Sequence, residues 1–483
     1  MKKAYFPILI CFLLLTLKSQ AQQDMTIYPM QIIPQSNYSN PALVPTANFH
    51  ISMLPGLSSI YVEGGHTGFN AHQFINITAN DSVEVNLQKL IDQMGKNNYI
   101  NLNTSIELIS FGFKLKEKHY FNFALSNKMY AHASYPKDLI NFAHKGNGAF
   151  FDETLQFSKM GINAAHYNEL MLGYSMQYDD KWTFGAHLKI LQGLSNVWTK
   201  RADVTLLTQE DHFFITATSD IDAYASLPSE VWEEDTTNTS KDFGPGQYLG
   251  NFKNMGAAID LGVTYKFDDK WTFGASMIDL GFFRWKGDGN RNFKSVDSEG
   301  NFTFEGIDIT DFIKAKDTTG AQSTLENLMD SIVDIFQIDT LYGAYTSPLN
   351  TRFYLSATYQ LTPKDQLSGL IRMHLYNRAV HPALTLGYMR KFGNILSLSG
   401  TYTMASRKYF NLGLGIAANF GPVQFYLTTD NLISPLVHNK YTWSENNELQ
   451  SLTVPRNTKF MNVHFGFNFI FGYKATKVNA PIL

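Results

Sequence analysis

The chain has 483 residues, of which 44% are hydrophobic, 14% aromatic and only 17% charged, and its formal net charge is −3. This composition excludes a disordered chain, because so aromatic and weakly charged a sequence buries enough apolar surface to offset its ordering entropy. The small negative charge and the lack of any Lys/Arg-rich run exclude a basic nucleic-acid-binding protein. A charged fraction below the roughly 25% usual for soluble domains suggests that part of the surface does not face water.

Residues 1–21 have the pattern of a signal peptide. Lys2 and Lys3 precede an apolar stretch over 4–17, and Ser19-Gln20-Ala21 places small residues where signal peptidase reads them, so we expect cleavage after Ala21. An N-terminal membrane anchor is the alternative, but the apolar run over 8–17 falls short of the roughly 20 residues that span a bilayer as a helix. Cys11, the single cysteine, lies in this segment. The mature chain is therefore expected to have no disulfide and no Cys-based metal site.

Residues 22–50 are expected to form an extended N-terminal segment, which is a candidate plug for the lumen of a barrel. Its most distinctive triplet is Asn40-Pro41-Ala42. Pro41 fixes the chain direction and disfavours helix at Asn40, while the Asn40 side chain can bond nearby backbone groups. We interpret Asn40, Pro41 and Ala42 as candidate gating residues. The alternative is that the triplet is only the turn that leads into the first strand.

Beyond residue 50 the sequence repeatedly alternates between apolar and polar residues with a period of two. The clearest stretches are 170–178, 261–267, 396–404 and 465–473. This period predicts β-strands with one apolar and one polar face. A soluble sandwich and a membrane barrel both show this alternation.

The connections between strands favour the barrel. Six are short and polar, at 116–118, 179–181, 268–270, 362–365, 393–394 and 421–422, whereas four are long, at about 131–168, 193–257, 281–351 and 432–458. Short turns on one rim and long loops on the other are typical of outer-membrane barrels. With two further strands near 57–62 and 459–471, we predict an all-β fold. It is a closed antiparallel transmembrane β-barrel of about 14 strands over 51–473, followed by a tail over 474–483. Periplasmic turns are short, extracellular loops are long, and each strand has about nine to eleven residues.

A near-repeat supports this interpretation. Residues 172–186 read LGYSMQYDDKWTFGA, and residues 261–275 read LGVTYKFDDKWTFGA. Each copy places aromatic residues on both sides of a charged turn, where a bilayer interface favours amphipathic rings. The alternative is a hairpin stabilised by cross-strand aromatic pairs in a soluble protein.

Three short helices are expected among the strands, at 86–94, 137–144 and 323–336. The third has a capping box of Ser323 and Glu326 ahead of an apolar stripe. This stripe either packs over the barrel mouth or docks a partner protein. The candidate docking residues are Leu325, Leu328, Ile332 and Ile335.

Motifs of enzymes and of metal or cofactor sites do not occur, so the sequence predicts a non-enzymatic protein without a cofactor. A stretch at 288–299 has the acidic spacing of a calcium loop, but Phe293 occupies the position that needs Gly, which favours a simple polar turn. Polar residues at inward positions of the predicted strands are candidate lumen-lining residues. They are Lys189, Asp260, Lys266, Arg372, His374, Asp430 and His464.

Several segments resemble an uncharacterised family of Bacteroidota outer-membrane barrels over nearly the whole mature chain. They lie at 35–42, 109–113, 136–140, 146–147, 421–426 and 430–432, together with the helix that contains Leu87 and the first Asp-Asp-Lys-Trp hairpin. More distantly, Asn40-Pro41-Ala42 is similar to the start of FadL-like and PorV-like barrels. FadL-like long-chain fatty-acid transporters have fourteen strands and a plug. The resemblance implies the outer membrane of a Gram-negative bacterium.

Two functions fit these expectations. The first is a passive conduit for small or hydrophobic solutes, and the second is a scaffold or accessory subunit of an outer-membrane surface-assembly or secretion complex. They differ in whether the lumen can open, since fourteen strands leave room for a channel only where loops and the N-terminal segment do not fill it. Outer-membrane lipid, a small hydrophobic solute and an outer-membrane protein complex are the expected partners, and no nucleic acid is expected.

Overall fold

A computed structural model describes residues 25–53, 57–68, 70, 75–77, 83–210, 215–228, 250, 252–295, 300–302, 338–405, 408–432, 437–445, 448–455 and 459–472. Three predicted features lie outside these residues. They are the signal peptide at 1–21, the tail at 474–483, and the helix at 323–336 with Leu325, Leu328, Ile332 and Ile335.

The described residues are mostly in strands, which we number in chain order. The strands are β1 (Phe49–Ser52), β2 (Ser59–His66), β3 (Ile75–Ile77), β4 (Val83–Val85), β5 (Asn97–Leu115), β6 (His119–Pro136), β7 (Thr154–Gln156), β8 (Gly161–Gln177), β9 (Trp182–Thr208), β10 (Ile215–Ser226), β11 (Met255–Lys266), β12 (Trp271–Trp285), β13 (Asn290–Ser295), β14 (Gly300–Phe302), β15 (Ile338–Leu341), β16 (Tyr345–Pro348), β17 (Arg352–Thr362), β18 (Asp365–Tyr376), β19 (Ala379–Phe392), β20 (Leu396–Ala405), β21 (Lys408–Phe420), β22 (Val423–Thr429), β23 (His438–Glu445), β24 (Glu448–Pro455) and β25 (Phe460–Phe471).

Fourteen antiparallel strands close into one barrel, as predicted. β1 and β2 together form the first strand, which pairs on one side with β5 and on the other with β25. Phe49, for example, lies opposite both Phe113 and Phe471. The remaining wall strands pair in the order β5, β6, β8, β9, β11, β12, β17, β18, β19, β20, β21, β22 and β25. Closure leaves the wall without a free edge.

The period-two pattern separates the two faces of this wall. Leu172 and Leu261 lie on the outer face and are 50% and 43% exposed. Ser175 and His187, on neighbouring strands, are completely buried on the inner face. The apolar face of the pattern therefore points outward and the polar face inward, which is the arrangement of a barrel in lipid and the reverse of a soluble sandwich.

One rim of the barrel carries the six short turns that the sequence predicts. They lie between β5 and β6, β8 and β9, β11 and β12, β17 and β18, β19 and β20, and β21 and β22. In the near-repeat, Asp179 Oδ1 accepts hydrogen bonds from the backbone N–H groups of Lys181 and Trp182, at 2.8 and 2.6 Å. Asp268 does the same for Lys270 and Trp271. The two bonds to Asp179 hold the pKa of its carboxyl below the usual range, with the bond from Trp182 contributing most.

The opposite rim is more ordered than the sequence predicts. β9 continues for 27 residues, beyond the nine to eleven expected, and its far half pairs with β7 and β10. β10 in turn pairs with β13 and β14, and β13 pairs with β15. The predicted long loops at 131–168, 193–257 and 281–351 therefore contain strands, and the wall extends past the barrel as an outer sheet. Alternation in these stretches is too irregular to reveal them.

Two predicted helices are present, at Leu87–Gln93 (α1) and Lys137–Lys145 (α2). The Asn86 side chain caps α1 by accepting a hydrogen bond from the backbone of Lys89 at 2.9 Å. Two short hairpins, β3 with β4 and β23 with β24, stand apart from the wall. Within the described part of the chain, no helix is both long and apolar enough to cross a membrane.

Candidate functional site: the inner segment and the chamber above it

Residues 25–47, which we call the inner segment, lie inside the barrel. Almost all of them are buried. The sequence predicts an extended segment, but the structure has turns and a 3-10 helix at Pro34–Ser39 instead. Pro34 begins this helix, where its fixed φ and missing N–H carry no penalty. A compact fold lets a short segment contact several wall strands at once.

Apolar side chains of the inner segment form two hydrophobic cores with the wall. Met25, Tyr28 and Leu43 pack with Ile278, Tyr354, Leu370, Ala383 and Ala405. Ile27, Met30, Ile32 and Ile33 pack with Met389, Ala417 and Tyr426. Burying these apolar side chains against the wall holds the inner segment in place.

Hydrogen bonds from the inner segment reach nine wall strands. The bonds join Thr26 to Thr401 on β20, Tyr28 to Ser356 on β17, Ile32 to Gln424 on β22, Gln35 to Asn468 on β25, Asn37 to both Asn122 on β6 and His187 on β9, Tyr38 to Glu107 on β5, Ser39 to Ser276 on β12, and Pro41 to Ser175 on β8. The bonds are therefore spread around much of the circumference of the wall.

Asp430, a predicted lumen-lining residue, holds the start of the inner segment. Its Oδ1 accepts hydrogen bonds from the Thr26 backbone N–H and the Thr26 hydroxyl, at 2.8 and 2.6 Å. Its Oδ2 accepts from the Met25 N–H at 3.2 Å and from Asn462 at 2.8 Å. Four donors around one carboxylate fix the position of this end of the segment.

The candidate gating triplet lies against the inner face of β8, β9 and β11. Asn40 Oδ1 accepts from the Ala42 N–H at 2.9 Å, and the Pro41 carbonyl accepts from Ser175 at 2.6 Å. Two strand glycines face the triplet. A Cβ on Gly262 would overlap the Asn40 side chain, and a Cβ on Gly185 would overlap the Pro41 carbonyl. Both glycines belong to the near-repeat, so their lack of a side chain makes room for the inner segment.

Lys189 and Asp260, two other predicted lumen-lining residues, belong to a buried cluster of charges. The Lys189 ammonium lies 2.7 Å from Asp260 and 2.5 Å from Asp279. Arg352 also pairs with Asp279, and Lys128 lies 2.6 Å from Glu169. His187 joins this cluster to the inner segment, since its two ring nitrogens each lie 2.9 Å from an oxygen, of Asp260 and of Asn37.

Three of the other predicted lumen-lining residues also lie on the inner face. Arg372 is fully buried, and His374 stacks at an angle on Tyr376 with 4.8 Å between ring centroids. His464 Nε2 lies 2.7 Å from the Ser59 hydroxyl. Lys266, the remaining candidate, lies half exposed at the end of β11 and pairs with Asp269 of the adjacent turn at 2.9 Å. Its place in the lumen lining stays a prediction.

A chamber lies between the inner segment and the loop rim, which is the barrel rim opposite the short turns. Its empty volume is about 1090 Å³, which includes its opening to solvent. Gln35, Tyr38 and Ser39 of the inner segment form its floor, and His132, Asn350 and His374 line it toward the loop rim. Burial, and next the Glu107 carboxylate, raise the pKa of the Tyr38 phenol, so Tyr38 remains a hydrogen-bond donor.

Five charged residues of the chamber were not predicted: Glu107, Lys128, Glu169, Asp279 and Arg352. Glu107 and Asp279 lie at irregularities of the strand register, where alternation changes phase. Asp279 also has a positive φ of 60°. Glu169 lies at an inward position of the alternation over 163–177 and could have been predicted from it. Arg352 is the first residue of its strand, so no alternation precedes it.

Solved structures of outer-membrane barrels are similar to the chain at low identity. The toluene transporter TbuX of Ralstonia pickettii is 10% identical, with a TM-score of 0.38 over 92% of this chain and 95% of that one. The P. putida toluene transporter TodX is 11% identical, with a TM-score of 0.38 over 90% and 94%. A Pseudomonas aeruginosa FadL homologue is 9% identical, with a TM-score of 0.41 over 94% and 99%.

No curated protein matches the chain. One family model does match it, over residues 41–430, from the proline of the candidate gating triplet to the aspartate that holds the start of the inner segment. The matched region includes nearly all of the barrel wall. The chain therefore belongs to DUF5723, a family of unknown function.

Proposed function

We propose that this protein is a non-enzymatic barrel of a Gram-negative outer membrane, exported by a signal peptide at 1–21, and that it is a passive conduit for a small solute. The inner segment acts as its plug, and Asn40, Pro41 and Ala42 as gating residues. Passage requires the inner segment to shift or leave. The observation that carries the proposal is that a solvent-connected chamber ends on a floor made by a separate segment of chain.

The outer face of the wall supports placement in a membrane. Large apolar residues are exposed along the strands, among them Leu172, Leu188 and Leu355. Aromatic rings collect near the turn rim, where Trp182 packs on Tyr265 with 4.4 Å between centroids and Trp271 packs on Tyr359 at 4.8 Å. An apolar band bordered by aromatic rings is the outer surface that lipid requires.

The way in which the inner segment is held supports a movable plug. The wall is closed by its own backbone pairing, so it does not depend on the segment for closure. The segment contributes side-chain bonds and two modest apolar cores, which can separate and re-form without breaking the barrel. We therefore expect a barrel that keeps its wall when the segment is displaced.

Deletion of residues 22–46 tests this proposal. The purified full-length barrel and the deletion variant are placed in liposomes, and efflux of glucose, lysine and glutamate is compared. The deletion should raise efflux of at least one solute several-fold while the protein keeps its heat-modifiable gel mobility, which reports an intact wall. A folded deletion variant that leaks no more than the full-length barrel would contradict the proposed plug.

A scaffold or accessory role in a surface-assembly or secretion complex is the second candidate. The outer sheet favours it, because this sheet extends past the barrel and exposes aromatic residues such as Tyr342, which is 72% exposed. The predicted docking residues Leu325, Leu328, Ile332 and Ile335 lie outside the described residues and belong to this second proposal. If neither the full-length barrel nor the deletion variant is permeable, co-purification of a partner that Tyr342→Ser abolishes would support this role.

A further inference from the structure

We propose that the chamber binds a neutral, hydroxyl-rich solute such as a mono- or oligosaccharide, and that it disfavours hydrophobic molecules and ions. This inference rests on the proposed function, because it identifies the solute class of the same route. Three features of the chamber carry it: its polar walls, the internal pairing of its charges, and buried polar atoms that lack a partner.

Most of the side chains that line the chamber are polar. Hydroxyl, amide and charged side chains dominate the lining, and the aliphatic contributions are few, chiefly Met129, Met171 and Leu349. A hydrophobic solute would strip water from these polar groups without replacing its hydrogen bonds, which is unfavourable. The chamber is thus unlike the mostly apolar pockets that take hydrophobic ligands.

Apart from Glu107, which bonds neutral side chains such as Tyr38, the charges of the chamber are paired with opposite charges. Lys128 bonds Glu169, and Lys189 lies between Asp260 and Asp279. Arg352 also pairs with Asp279, so three basic side chains pair with three carboxylates. An ionic solute would have to compete with these pairs for its counter-charge, whereas a neutral solute leaves them intact.

Among the described residues that line the chamber, three buried polar atoms have no hydrogen-bond partner. They are the Tyr130 hydroxyl, Glu169 Oε2 and His374 Nδ1. All three side chains line the chamber, and the residues are 7%, 3% and 3% exposed. The phenol donates, the carboxylate accepts, and the imidazole nitrogen can do either.

A ligand that satisfies all three atoms must offer both donors and acceptors. Hydroxyl groups do both, and several of them on one small neutral molecule can reach a donor and an acceptor at once. Tyrosine rings at Tyr130 and Tyr167 also line the chamber and offer flat apolar faces to the C–H face of a sugar ring. The pattern of atoms therefore selects a polyol over an ion or a hydrocarbon.

The binding test uses the full-length mature barrel in nanodiscs, with empty nanodiscs as the reference. Calorimetric titrations use glucose, maltose, maltotriose, lysine, glutamate and toluene. We expect at least one of the three sugars to bind, and lysine, glutamate and toluene to bind at least tenfold more weakly. Tyr130→Phe and Glu169→Gln should each weaken sugar binding about tenfold. Tyr265→Phe, on the outer face beside Trp182, should leave it unchanged.

Each outcome separates this inference from the proposed function. Sugar binding without sugar efflux from the deletion variant would uphold the solute class and overturn the conduit. Efflux in the deletion variant with toluene or an amino acid as the tightest ligand would uphold the conduit and overturn the solute class. If no sugar binds, or if Tyr130→Phe binds sugar as tightly as the parent protein, water alone occupies the chamber and the inference is wrong.

Discussion

Gly262 of the barrel wall faces Asn40 of the inner segment so closely that a Cβ on Gly262 would overlap the Asn40 side chain. The same Cβ would lie 2.8 Å from Pro41 Cδ and 3.0 Å from the Ala42 nitrogen, so the whole gating triplet depends on this glycine. Gly262 and Gly185 together leave the inner face of the wall free of side chains where the triplet packs.

Replacement of Gly262 by Val should therefore displace the inner segment. We expect the inner segment to become sensitive to protease in the folded barrel and solute efflux to rise. The valine side chain is fixed on the wall, so the inner segment must move to avoid the overlap. Gly400→Val is the matched control, since nothing lies within 4 Å of a Cβ at that position. Equal protection of the segment in the two variants would show that the contact does not hold the triplet.

Charge at the outer face tests the position of the membrane. Leu172→Arg should lower the free energy of unfolding in lipid by roughly 2 to 4 kcal/mol, because the residue lies well inside its strand and faces outward. Leu115→Arg is an equally exposed control at the turn end of β5, and should cost only about 0 to 1 kcal/mol there. A difference between the two of less than the experimental error in reversible urea unfolding would contradict the predicted depth.

The buried charge cluster should depend strongly on its central lysine. Lys189→Met leaves Asp260 and Asp279 buried with less compensation, so we expect a loss of about 3 to 5 kcal/mol in unfolding free energy. Lys266→Met removes an exposed pair with Asp269 and should cost about 1 kcal/mol or less. Similar losses in the two variants, measured by urea unfolding in the same lipid, would refute the assignment of Lys189 to a desolvated cluster.

Alternation and turn composition were enough to predict the barrel, its strand number and the short turns, because each wall strand repeats one physical rule. The same rule found Lys189, Asp260 and Asp430, whose inward phase is regular. It missed Asp279, since the register shifts beside it. It also does not show that Lys266 lies half exposed at the end of β11, since phase alone does not tell where the buried part of a strand ends. The compact inner segment has no period, so its fold depends on wall contacts that no local pattern contains. Cleavage after Ala21 and a Bacteroidota origin stay predictions.

The most direct test of the central claim locks the inner segment to the wall. Thr26 Oγ1 lies 2.7 Å from Thr401 Oγ1, so Thr26→Cys with Thr401→Cys places two thiols at the same contact. Cys11 is the single native cysteine and is replaced by serine, so the new pair is the only possible cross-link. The measurement is solute efflux from liposomes before and after reduction of this disulfide. We predict no solute efflux from the oxidised barrel, and recovery of the efflux rate to that of the parent protein on reduction. Equal efflux from the fully oxidised and the reduced barrel would contradict it, because solute would then pass without movement of the inner segment.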